Sequence, residues 1–309
     1  MTEHAGSAVA PVSIELPRDL GGHADASTEI WYVMGKVQGG GRELAVQLMA
    51  SAVPGRFITV WVSVTEEATG LNRHDRFRFR FGEDELTLAD DRLHIETPAM
   101  SLTGDIDELV AAGTIEGVRV DLVLRRRQPV LYNGGTAFFP HFGNTTYQFS
   151  LPCLDVSGAI TIDGEQVDVS GGGWFDRQWT HARETFASTN HFTWLGLCLD
   201  DGTGLSVWDT AVGDQDGHTW ATVVRPDGTH TVVAVESLDA NGSGAYERPS
   251  GKTYPSAWSI RMPGIGGALK VRERQHYDDP LFYTGICEVI GTLAGQTTSG
   301  YGFVDMVRG

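Results

Sequence analysis

Two-residue alternation, punctuated by Asp-Gly pairs, constrains this chain more than any other feature. In Arg76-Phe77-Arg78-Phe79-Arg80-Phe81 every second residue is aromatic, and Val118-Arg119-Val120-Asp121-Leu122 carries the same rhythm on to Leu124. Successive side chains of a strand point to opposite faces, so such runs present one face to a core and one to water. Arg76, Arg78 and Arg80 read as a solvated face. Asp163-Gly164, Asp201-Gly202 and Asp227-Gly228 each separate two such runs, and Asp-Gly supplies the positive φ that tight hairpins need. Many short strands joined by hairpins predict an all-β chain whose long antiparallel meanders curl into barrels to hide their edges.

Length then sets the number of units. One eight-stranded barrel takes about half of 309 residues, so two tandem barrels are expected, over residues 1–183 and 184–309. Residues 1–27 lack periodicity and read as a flexible lead-in. The one convincing helix is expected at 105–112, with a weaker one at 179–188. The 39 glycines are scattered among only 12 prolines, as turns and bulges require, with no collagen-like period.

Composition excludes several functions. A net charge of -17 argues against nucleic acid, which needs a basic face, and against anionic membranes. No apolar run approaches the ~18 residues of a membrane-spanning helix, and the first residues lack a signal-peptide pattern; a cytoplasmic protein is expected. Cys153, Cys198 and Cys287 are odd in number and far apart, which predicts free thiols. Asp214 and Asp216 only faintly suggest a calcium loop. His141, His181, His191 and His276 have no metal-ligand spacing. No nucleotide or redox motif is visible, so no metal and no cofactor are expected.

The stretch Gly171-Gly172-Gly173-Trp174-Phe175-Asp176-Arg177-Gln178-Trp179 stands apart. In an extended strand Trp174, Asp176 and Gln178 share a face. A carboxyl among aromatics is costly unless it is bonded or functional. Burial raises its pKa, and a neutral acid near pH 7 can protonate an alkene or carbonyl, with indole faces supporting the cation. Alternatively Asp176 pairs with Arg177 or Arg183, or caps a turn. His191 and Trp194 follow; His191 facing a pocket could relay a proton or position water. Tyr147 and His141 precede the stretch and could line the first barrel's mouth. Trp208, Trp220 and Trp258 read as core anchors of the second barrel, and Tyr301 as packing in a closing strand.

Several segments, in order, resemble one family. They are Tyr147-Gln148-Phe149-Ser150-Leu151-Pro152 through Ser157-Gly158, Trp174-Phe175-Asp176-Arg177-Gln178-Trp179, Trp194-Leu195-Gly196-Leu197, Tyr254-Pro255 with Trp258, Tyr283-Thr284-Gly285, and Gly300-Tyr301-Gly302. The chain resembles, over residues 28–307, the AttH-like, lipocalin-like superfamily that includes carotenoid 1,2-hydratase, kievitone hydratase and fungal decalin-forming Diels–Alderases. The resemblance implies two tandem lipocalin-like barrels, a pocket near their junction, a hydrophobic small-molecule substrate and no cofactor. In the family's carotenoid enzymes a Tyr stands where this chain has Trp174. The expected function is acid–base hydration, dehydration or cyclisation of an unsaturated hydrophobic molecule. Asp176 and His191 are the candidate catalytic groups; Trp174, Trp179, Trp194, Gln178, Tyr147 and His141 would contact substrate. A pericyclase with a shaped pocket and no essential acid, or a non-catalytic lipophile binder, are the alternatives.

Overall fold

The computed structural model describes residues 13–142, 144–181, 190–212, 217–238, 242, 244–247, 253–278 and 283–307. It is 70% strand and 4% helix, arranged as two curled antiparallel sheets in a two-domain lipocalin-like fold. The first sheet takes β1 (Thr28–Gly39), β2 (Arg42–Val53), β3 (Phe57–Glu66), β4 (Leu71–Arg80), β5 (Thr87–Leu88), β6 (Leu93–Glu96), β7 (Met100–Gly104), β8 (Glu108–Ile115), β9 (Val118–Arg125), β10 (Leu131–Tyr132), β11 (Phe138–His141), β12 (Asn144–Ile162) and β13 (Glu165–His181). Its order is β4-β3-β2-β1-β13-β12-β9-β8-β7-β6-β5, with β10 and β11 also on β12. In the second half come β14 (Asn190–Leu199), β15 (Gly204–Val212), β16 (His218–Val224), β17 (His230–Ala234), the small pair β18 (Tyr246–Glu247) and β19 (Thr253–Tyr254), β20 (Ala257–Met262), β21 (Gly267–Asp278), β22 (Tyr283–Leu293) and β23 (Gln296–Val307). Eight of these form the second sheet, in the order β17-β16-β15-β14-β23-β22-β21-β20.

The Asp-Gly turns fall where the sequence puts them. Asp163 (φ 50) and Gly164 (φ 88) close the β12–β13 hairpin, a left-handed pair that Asp tolerates and Gly adopts freely. Gly202 and Gly228 turn β14 into β15 and β16 into β17. The arginines of β4 are exposed beside half-buried Phe77 and Phe79. The three cysteines are free thiols.

Two expectations are corrected. Residues 105–112 are not helical. The Asp105 Oδ1 accepts the backbone N–H groups of Asp107 (2.8 Å) and Glu108 (3.1 Å), an Asx turn that feeds β8 into a ladder between β7 and β9. Nor is the lead-in loose where it is described. From Ser13 it lies against the first sheet, with Leu20 and His23 buried and the Trp31 Nε1 donating to the Leu20 carbonyl at 2.9 Å. The second helix expectation lies outside the described residues beyond His181, as do Arg183, Asp214 and Asp216.

Three cores result. One fills the first sheet's concavity, around Trp31, Phe149, Phe175 and Trp179; another fills the second's, around Leu197, Val207, Trp258 and Val289. The third lies between the sheets and gathers Tyr32, Met34, Trp174, Trp194, Trp208 and Trp220. Trp208 and Trp220 therefore belong to the junction, unlike Trp258, because β15 and β16 are buried on both faces. Each such indole removes roughly 150–250 Å² from water, which gives the junction the character of an interior. Close approach there demands glycine: a Cβ on Gly172 would sit 2.1 Å from the Tyr301 hydroxyl.

Candidate active site

Register builds the site. Asp176 on β13 stands opposite Ser150 on β12 and Tyr32 on β1, and Tyr32 stands opposite Met49 on β2. The neighbouring rung carries Gln148, Gln178 and Ile30. All these side chains leave the first sheet on its junction face, as alternation requires. The second sheet answers with Asp305, Trp194 and Trp208, aligned across β23, β14 and β15. His141, Phe142 and Asn144, at the turn into β12, join them in lining a cavity of about 430 Å³.

The cavity is chemically two-sided. Phe192, Trp194, Trp208, Ile30 and Met49 give it an apolar wall; Asp176, Asp305, Gln148, Gln178 and His141 stand among its polar groups with Thr28, Tyr32, Asn144 and Thr180, and among the described residues no Lys or Arg lines it. Among the described residues, the buried side-chain polar atoms without a hydrogen-bond partner include His141 Nε2, Gln148 Oε1, Trp208 Nε1 and Asp305 Oδ1, all from lining residues. Orphaned polar atoms gathered in one concavity mark a place built for a ligand's polar groups. A larger cleft, about 980 Å³, lies along the second sheet's hairpins, but of the charges lining it Asp200, Asp201, Arg261 and Lys270 are exposed. An exposed charge interacts in high dielectric and exerts little catalytic force.

Burial controls the titration. The Asp176 carboxyl is pushed up to about 6 by desolvation, against the hydrogen bonds it receives from the Ser150 Oγ (2.5 Å), the Trp174 Nε1 (2.7 Å) and Gln148. Asp305 is pushed to about 7, first by desolvation and then by the charge of Asp176. Burial lowers His141 to about 3, so its imidazole is neutral at ordinary pH. The pair of carboxyls and a neutral imidazole amount to an acid–base set. Because both carboxyls bind protons more tightly folded than unfolded, their stabilisation is intact below about pH 4 and lost as pH rises through 6 and 7. Asp305→Asn removes its share of that loss. Each tenfold change in proton affinity carries about 1.4 kcal/mol, so at pH 8 the variant should be more stable than wild type by on the order of 1–3 kcal/mol. At pH 4 the two should melt together, as calorimetry at both pH values will show.

The sequence-named residues divide. Asp176, Gln178, Trp194 and His141 line the cavity. Trp174 is fully buried behind the wall, edge-on to Trp194 at 5.7 Å, and donates to Asp176. Trp179 and Tyr147 depart from the expectation: they stack on each other at 5.2 Å, and Trp179 belongs to the first sheet's core, because its odd position on β13 faces away from the junction. His191 departs likewise. Phe192 and Trp194 line the cavity, so alternation turns His191 away. Arg177 does not pair with Asp176; it lies on the opposite face with Glu29. Sequence reasoning missed Asp305. Its only signal was a carboxylate in step with Phe303 in the apolar strand β23.

No helix among the described residues is long and apolar enough to cross a membrane, and no group of three or more His, Cys, Asp or Glu among them could hold a metal ion.

Comparison with known proteins agrees with this architecture. A protein assigned as AttH from Nitrosomonas europaea superposes with a TM-score of 0.81 at 22% identity, covering 96% of this chain and 99% of that one. Kievitone hydratase from Nectria haematococca superposes at 0.76 with 17% identity, over 96% and 93% of the chains. At these identities the likeness shows a shared fold. The dehydratase asqC of Emericella nidulans is 28% identical over 210 residues, which are 62% of this chain and 58% of that relative's length. Residues 7–309 match the family described as AttH-like, and the chain belongs to that family.

Proposed function

We propose that this protein is a cofactor-independent hydratase or dehydratase acting on an uncharged, hydrophobic, unsaturated small molecule bound at the junction of its two sheets. The observation that carries this reading is the pair of carboxyls, Asp176 buried and Asp305 half-buried, facing one aromatic-walled cavity. Adding or removing water needs a proton donor at oxygen or an alkene carbon and an acceptor at the neighbouring atom. Two carboxyls whose proton affinities are raised toward neutrality supply both. A cation formed in between would lie among indole faces rather than in water. With no Lys or Arg among the described lining residues, an anionic substrate would meet the carboxyls unbalanced, which favours a neutral one. The names of the fungal dehydratase and hydratase relatives support the reaction class.

Reversible dehydration carries its own tracer. The protein, incubated in ¹⁸O-water with a panel of tertiary and allylic alcohols, should incorporate ¹⁸O into at least one hydroxyl, measured by mass spectrometry. No incorporation across the panel, with rearranged carbon skeletons instead, would replace the reading with a pericyclase or cyclase. Tight binding without any turnover would leave a lipophile carrier.

A further inference from the structure

We infer that Asp305 is the proton donor of the junction cavity and that Asp176 is its ionised partner, an assignment that rests on the acid–base reading above. The two carboxyls face the same cavity from opposite sheets, yet their surroundings differ in kind. On Asp176 the Oδ1 accepts hydrogen bonds from the Ser150 Oγ at 2.5 Å and the Trp174 Nε1 at 2.7 Å, and the Gln148 side chain bonds to the same carboxyl. Donors aimed at a carboxylate favour its charged form. Among the described residues the Asp305 Oδ1 is buried with no partner, and the Met306 backbone N–H is the one hydrogen bond that favours its charged form. Its cross-strand neighbours are Trp194 on β14, itself 6.4 Å from Trp208, and Thr284 on β22, whose Oγ1 already accepts from the Gln47 Nε2 at 2.7 Å. A single proton held between two unlike carboxyls goes to the one with fewer donors. Burial raises both groups, and the charge on Asp176 raises Asp305 further. Among the described residues the other titratable side chains lining the cavity are His141, kept neutral by burial, and Tyr32, whose hydroxyl lies 2.9 Å from the Thr284 Oγ1. His141 brings no charge that would reverse the order.

The step balances without a co-reactant. In dehydration the Asp305 proton goes to the substrate hydroxyl, the C–O bond breaks, and its electron pair leaves on water. Asp176 takes a proton from the adjacent carbon, and that C–H pair becomes the new π bond. The proton on Asp176 returns to Asp305 by exchange with the released water. Hydration runs the same transfers backwards.

The protonation state can be read without a substrate. Infrared difference spectra of the full chain at pH 6.5 should show the carbonyl stretch of a buried protonated carboxyl in wild type and in Asp176→Asn, and a much weaker one in Asp305→Asn. Asp305→Ser serves the same comparison should Asp305→Asn not fold, as circular dichroism will tell. Once an exchanging alcohol is in hand, Asp305→Asn should lower its ¹⁸O exchange rate roughly 10²–10⁴-fold. Ser150→Ala, which strips a donor from Asp176 and leaves both carboxyls in place, should bring a second carbonyl band and lower the pair's preference for one site. A band lost in Asp176→Asn and kept in Asp305→Asn overturns the assignment while leaving acid–base chemistry intact. A wild-type protein with no exchange activity overturns the reading beneath it, whatever the bands show.

Discussion

Asp176→Asn should lower the hydration or dehydration rate by roughly 10²–10⁴-fold, the usual worth of a positioned acid or base, without unfolding the protein. Asparagine keeps the size of the side chain and can still accept from the Ser150 Oγ and Trp174 Nε1 that bond Asp176 now. What it removes is the carboxylate that exchanges a proton with substrate. Stability should hold, and at pH 8 it should rise, because a buried carboxyl displaced to about 6 is costly when ionised. Activity assayed beside thermal melting separates the possibilities. A large rate loss in a well-folded variant fits a chemical role; a parallel fall in rate and folded fraction fits a structural one. Near-full activity would fit a pocket that works by shape alone.

The largest stability effect is expected on the other face of the same strand. Arg177 is fully buried and ion-paired with Glu29, itself buried. Its Nη2 also donates to the Gly21 carbonyl at 2.6 Å and its Nη1 to the Gln178 carbonyl at 2.7 Å. The guanidinium lies 4.0 Å from the ring centre of Trp31 and 5.0 Å from that of Trp179. His23 and Asp19 extend the cluster, with His23 Nε2 3.2 Å from the Asp19 Oδ1. Burial alone would raise the Glu29 pKa, but bonds to His23 and Arg177 hold it below its ordinary range. Glu29→Gln leaves the guanidinium charge buried without its counter-ion, and such losses cost about 3–5 kcal/mol. Glu29→Gln with Arg177→Met removes both charges and should recover part of that loss, a coupling that a double-mutant cycle of denaturation free energies measures. Additive effects of the two changes would show that the pair does not interact.

Much of this was legible because period two is a local signal. Asp163-Gly164 marked the longest hairpin, and spacing placed Trp174, Asp176 and Gln178 on one face. Which face mattered was not legible. β13 lies between two cores, so Phe175, Arg177 and Trp179 are as buried as Trp174 and Asp176, and polarity contrast, the usual guide to a strand's inside, is missing. The same double burial hid the junction role of Trp208 and Trp220. The misread helix at 105–112 began with an aspartate that bonds the following N–H groups, a habit shared by N-caps and Asx turns; ladder pairing on both sides decided the outcome. Asp305 joins Asp176 only through the docking of two sheets, and pairing between distant strands leaves no mark in local sequence.

A crystal structure of Asp176→Asn bound to an alcohol that the wild-type protein exchanges with water tests the central claim most directly. The alcohol should lie in the 430 Å³ junction cavity, its carbon skeleton against Trp194, Trp208 and Phe192 and its hydroxyl within hydrogen-bond reach of Asp305. An alcohol found instead in the open cleft beside Arg261 and Lys270, with the junction cavity unfilled, would contradict it.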